Sequence, residues 1–367
     1  MAKVVGRGQL DPGAFPDASP FLRPRFRGLW PLSLNDPPGP RADLPGRVPD
    51  RPSGGSFPSV KFLSPAAVGR VPHLACGVHP SAMRNLSSIP EDLDRFWRCH
   101  DEGLAALKDL KRPEEVIWTH DLYRGMPVPF NRFFAFWQER AVRRLWRGCL
   151  PRPGEWALDL GCGTGRWARL LQGYGVWTVG VDLGFHALSW ARRLTPFGSW
   201  AVMSLPRLGF RNGSFDWAIS VTVLQHLPYS AQEEALSELR RLLRPGGKLI
   251  VLELCQVEAG VFYLFPRQRP EWEALFQRHG FHILGTQAVE RLPWIPLMRR
   301  MASFWLRGSV EGPRGGEGAA AWFRRSRWPW VGLYLFLAVA YPVEGAAALL
   351  GWSRGARYTA WLLGREG

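Results

Sequence analysis

The chain has 367 residues, 46% of them hydrophobic and 13% aromatic, enough for a sizeable core, which excludes a wholly disordered or fibrous protein. Five cysteines (Cys76, Cys99, Cys149, Cys162, Cys255) form an odd set with no CxxC pair, which argues against a disulfide framework or zinc knuckle and fits a reducing, cytoplasmic setting. The net charge of +16 is carried by the flanks: residues 1–84 hold 11 Lys and Arg against 5 acids, residues 293–367 hold 10 against 4, and the middle is nearly balanced, so nucleic acid is not the expected partner.

Residues 1–84 are crowded with Pro, Gly and Arg and show no period of 2 or 3.6, which predicts a disordered leader without a signal-peptide h-region. The protein-like sequence begins at Met83, a candidate translation start that would leave the leader untranslated. His73, Cys76 and His79 lack a fourth ligand at zinc spacing, so no metal is expected.

Residues 85–150 read as a helical cap. Ser88, Pro90 and the following acids start one helix, and Phe133, Phe134, Trp137, Ala141, Leu145 and Trp146 recur near helical spacing in a second. Residues 151–292 then alternate strand-like segments (EWALDLG, WTVGVDL, SWAVMSL, FDWAISV, KLIVLEL) with amphipathic helical runs, the pattern of an α/β protein with a parallel sheet.

The sharpest local signal is ALDLGCGTGRWARLL, a strand running through Gly161, Gly163 and Gly165 into a helix. Glycines at these places let the backbone turn tightly and approach a ligand. A dinucleotide loop would space its last two glycines more widely and would disfavour Asp159 beside a pyrophosphate. An acid there suits a cofactor bearing an ammonium and a sulfonium. Asp182, at the end of the next strand, suits a ribose diol in either cofactor class.

LDLGCGTG, GVDL, LPRLGFRNGSFDWAIS, SVTVLQHL and LRPGGKLIVLE follow in order over residues 155–255, and this stretch resembles the class I (Rossmann-like) methyltransferases that use S-adenosylmethionine (SAM), especially those acting on small molecules. The resemblance implies that Asp159 and the glycine loop hold the methionine part and Asp182 the ribose. Leu183 would pack on the adenine, and Ser204, Leu205 and Val221 complete the expected cofactor set. Ser204 stands where such proteins often carry an Asp toward the adenine amino group. His226, after the fourth strand, is the candidate general base. Asp216 reads as a strand-entry residue, Glu253 as either a substrate contact or a loop cap, and Tyr123 with its aromatic neighbours as packing.

Residues 293–355 are unusual, with an apolar run over 330–352 broken by Glu344 and preceded by Arg324, Arg325 and Arg327. Its length could span a bilayer, but residues 356–367 look like the last strand of the sheet, which a single crossing would strand on the wrong side. A helix-Pro342-helix lid is expected instead, either resting on a membrane surface through 324–352 or buried as an ordinary helical pair. The function this implies is methyl transfer from SAM to a small, hydrophobic or lipid-like acceptor in the cytoplasm. A nucleic-acid methyltransferase and a SAM-binding protein without catalysis are the other classes, and nothing in the sequence sets the oligomeric state.

Overall fold

The structure is a computed structural model and describes residues 89–105, 113–123, 126–256, 263–294, 297 and 328–366. The expected leader, the Met83 start, the His73/Cys76/His79 group and Arg324, Arg325 and Arg327 lie outside these residues.

Five parallel strands form the sheet's main part: Trp156–Leu160 (β1), Trp177–Asp182 (β2), Ser199–Val202 (β3), Phe215–Val221 (β4) and Leu243–Leu254 (β5). Tyr358–Arg365 (β7) inserts antiparallel between β5 and Phe281–Val289 (β6), giving the order β3-β2-β1-β4-β5-β7-β6. This is a Rossmann-like α/β sheet. The order reverses between β1 and β4, and the crevice outside their carboxyl ends is where open α/β sheets bind ligands.

Alternation along the strands builds two cores. Ala157, Trp217, Ile219, Ile250 and Leu252 face Val128–Trp146 (α3) and Arg166–Gln172 (α4), while Leu158, Ala218, Leu249 and Val251 face Tyr229–Leu242 (α6) and Arg269–Arg278 (α7). A third cluster joins Phe185–Leu194 (α5) to the amino-terminal helices Ile89–Ala105 (α1) and Glu115–His120 (α2) through Leu104, Ile117, Trp118 and Trp190. The buried aromatic stripe of α3 includes Phe130, Phe133, Phe134 and Trp146 and packs into the sheet's core.

Helix α6 ends at Leu242, Leu243 already pairs with Phe215, and residues 244–247 bulge before Lys248 rejoins Trp217. The expected helix-Pro342-helix is one helix, Trp328–Leu349 (α8), with Pro342 inside it. Pro342 is exposed, while Leu333, Phe336 and Ala340 before it and Glu344, Ala347 and Ala348 after it are buried on one side. Burial of both halves outweighs the one backbone bond that Pro removes.

Candidate functional site

The loop between β1 and α4 needs its glycines. Gly161, Gly163 and Gly165 have φ of +59°, +52° and +83°. A Cβ on Gly161 would fall 2.5 Å from Val223 Cγ2, and one on Gly163 would fall 2.7 Å from Asp121 Oδ1. The facing turn is itself strained: Thr222, which is β-branched, has φ +56°. Its N–H donates to Leu252 O at 2.7 Å, which anchors this turn to β5.

Carboxylates gather around that loop. Asp159 is buried and accepts from Ala168 N at 2.8 Å, satisfying a first-turn N–H of α4, whose N-cap Gly165 has no side chain to offer. Burial pushes its pKa up to about 8, and the nearby Asp121 and Asp182 charges add to the rise. Asp182 bridges two loops, accepting from Gly163 N through one oxygen and from Gly184 N through the other, both at 2.8 Å. A carboxylate has about four acceptor sites, and these two bonds take one on each oxygen. Asp121, just beyond α2, accepts from Thr164 N at 3.2 Å and from Thr164 Oγ1 at 2.5 Å. Asp101 of α1 accepts from His186 N and Ala187 N at 2.9 and 2.8 Å, capping α5 where Gly184 cannot.

Leu183 follows Asp182 and is 44% exposed, an apolar surface beside the loop. Val221 is buried at the end of β4. Ser204 and Leu205 follow β3; Ser204 is exposed and donates to Leu205 O at 3.1 Å. The structure therefore brings Asp159, Gly161, Gly163, Gly165, Asp182 and Leu183 to the switch-point edge, with Val221 at the tip of the neighbouring strand.

His226 lies in the short turn Leu224–His226, with Trp97 edge-on at 4.8 Å and its Nδ1 2.9 Å from Tyr263 O. A carbonyl can only accept, so Nδ1 carries the proton and Nε2 is left as an acceptor. Burial lowers the His226 pKa to about 4, so the ring is neutral near pH 7. Glu253 accepts from the backbone N–H groups of Val223, Leu224 and Gln225 at 2.9 to 3.1 Å and so caps this turn. Asp216 takes a strand-entry role, accepting from Trp156 N at 2.8 Å and pairing with Arg244 at 2.6 Å. Tyr123 packs on Phe130 and Phe134 and donates to Glu290 at 3.1 Å.

Residues 158–251 match the family described as "Methyltransferase domain". This segment is a methyltransferase domain. Among curated proteins, the chain is 32% identical to a demethylmenaquinone methyltransferase of Beutenbergia cavernae over 38% of this chain and 54% of that protein. It is 40% identical to an uncharacterized 37.1 kDa protein in transposon Tn4556 of Streptomyces fradiae, over 28% and 31%. The chain thus spans about half or less of the length of these two relatives. Among solved structures, phosphoethanolamine N-methyltransferase 2 of Haemonchus contortus has a TM-score of 0.42 and 16% identity, over 62% of this chain and 53% of that one.

The residues of the methyltransferase domain fit SAM. Three glycines, each without a Cβ, sit among the carboxyl groups of Asp121, Asp159 and Asp182, a setting that favours a cationic methionine part over a pyrophosphate. Asp101 and Asp121 complete the site from outside the domain's motifs. The one trace of Asp101 in the sequence is indirect, since α5 opens on glycine and its first N–H groups require a partner from elsewhere; Asp121, which holds Thr164 ahead of α4, leaves none.

Proposed function

We propose that this chain transfers a methyl group from SAM to a small acceptor with hydrophobic parts, in the cytoplasm or at a membrane surface reached through 324–352. The observation that carries this reading is the convergence of Asp121, Asp159 and Asp182 on the loop Gly161–Gly165 at the switch-point edge. SAM supplies an already activated methyl group on its sulfonium. The chain then has to bind, orient and keep out water. In this reading Asp182 holds the ribose, the glycine loop and Asp159 face the methionine part, and Leu183 covers the adenine. Ser204, Leu205 and Val221 border the base.

In the same reading His226 receives a proton from an acceptor O–H or N–H through Nε2, which Gln225 Nε2 approaches at 3.4 Å. Its low pKa makes it a weak base, which suits an acceptor whose proton leaves as the new bond forms. Trp97 and Tyr263 around it give that side of the site an aromatic character.

Calorimetric titration of SAM, S-adenosylhomocysteine and NAD into the full chain tests the reading. Micromolar binding of the first two, weakened about 100-fold by Asp182→Ala, is expected from the loss of charge-assisted hydrogen bonds. Binding of NAD alone would overturn it.

A further inference from the structure

Helix α8 is apolar and long enough by composition to cross a membrane. The sheet forbids it: Val289 at the end of β6 pairs with Tyr358 at the start of β7, so both ends of the connection carrying α8 return to one place. One side of the helix is also committed to the protein. Phe336 packs against Phe133 and Trp294, Tyr341 packs against Phe133 and Phe136, and the buried Glu344 accepts from Arg291 N at 2.8 Å and Trp294 Nε1 at 2.9 Å. These bonds fix the rotation of α8 about its own axis.

The opposite side is the anomaly. Val331, Leu335, Val339 and Val343 follow one another at intervals of four, and Leu349 and Leu350 extend the line. All six are exposed, Leu335 to 66%, Val339 to 59% and Leu350 to 81%. No exposed position of α8 carries a charged side chain, since its single charged residue is Glu344, which is buried. A helix lying on a water-soluble protein ordinarily turns polar residues outward, and a contiguous exposed apolar strip marks an interaction surface. Tyr334, near one end, and Trp352, just past the other, are both half-exposed, the amphipathic rings favoured at membrane interfaces.

The surroundings are basic. Arg140 and Arg144 on α3, the helix that α8 packs against, and Arg147 just past its end stand at i, i+4 and i+7, close enough for the charges of Arg140 and Arg147 to depress the ionisation of Arg144 beyond the effect of burial, while Arg291 nearby is buried and paired with Glu344. Arg132 lies by Tyr341, and Arg354 is exposed just past the helix. A second copy seated on the strip would bring two such rims together, like charge against like. An anionic lipid surface meets both features at once.

We infer that α8 is an in-plane membrane anchor: its outer strip enters the headgroup boundary of an anionic membrane while its inner side stays bound to α3 and Glu344 stays buried. The inference rests on this surface and not on the methyl-transfer reading, and its test separates the two. The full chain is mixed with vesicles of phosphatidylcholine alone, or with about 30 mol% phosphatidylglycerol, and floated on a density gradient. We expect flotation with the anionic vesicles, reduced by salt, and at least tenfold weaker flotation for Leu335→Glu/Val339→Glu. SAM affinity should be unchanged in that variant. Phe197→Glu, at an 84% exposed apolar position outside α8, should float as the parent does. Hydrogen exchange on the unmodified protein needs no variant, and should show vesicle-dependent protection concentrated in 328–352. Failure to float with anionic vesicles, equal flotation of the double variant, or a dimer in solution that the double variant dissolves would each overturn the anchor and leave the cofactor result standing.

Discussion

Two buried carboxyl groups govern how this protein responds to pH. Asp159 and Glu253 are both pushed up to about 8 by burial, whereas carboxyls in an unfolded chain ionise near 4. Between those values the folded state keeps protons that the unfolded state has lost, so these two groups favour folding at low pH and lose that contribution as pH rises toward 8. Urea denaturation at pH 5.5 and 8 should show lower stability at the higher pH. Glu253→Gln should flatten the slope and cost about 1–3 kcal/mol at pH 6, because one of three backbone donors loses its acceptor. A cation bound beside Asp159 favours its ionised form, so SAM binding at pH 7 should release a proton, read as a dependence of binding enthalpy on the ionisation enthalpy of the buffer. His226→Gln should lower kcat about tenfold with little change in cofactor affinity, checked by steady-state kinetics beside calorimetry.

Which of these residues the sequence revealed follows from how local their jobs are. Gly161, Gly163 and Gly165 announce themselves because a tight turn and a close approach are set within a few residues. The two roles left open for Glu253 resolve to loop capping only when β5 is laid beside the turn 223–225. Asp101 and Asp121 could not be found: each acts on a backbone more than 40 positions away, and spacing carries no trace of that.

Among elements, the strands and most helices were legible from alternation and period, because each buries one face against a neighbour that shares its pattern. Helix α8 was not, since Pro342 reads locally as a break and only the shared packing surface of α3 keeps the helix whole. Glu344 then becomes the hinge pin of the whole connection. Removing its carboxylate by Glu344→Leu leaves the buried Arg291 and the Trp294 Nε1 without their acceptor and should destabilise the protein by about 3–5 kcal/mol in urea denaturation, although Leu is the better helix former. The cap from α1 has a second consequence. Asp101→Ala should cost about 1 kcal/mol through α5 and should also weaken SAM binding a few-fold, because the capped helix begins one residue after Gly184, whose N–H is held by Asp182.

At the scale of the molecule, Asp101 and Asp121 tie the amino-terminal segment to the switch-point edge, while α3 covers β6 and β7 and packs against α8. Tyr123 joins the two regions: it lies two residues from Asp121, and its hydroxyl meets Glu290, which immediately precedes the Arg291 bound by Glu344. The uncharged outer strip of α8 carries a kinetic consequence. If the acceptor partitions into the same membrane, a protein resting on that strip would search for it in two dimensions, and its rate would follow the acceptor's mole fraction in the surface and not its bulk concentration. Adding inert lipid at a fixed amount of acceptor would then slow the reaction by surface dilution alone.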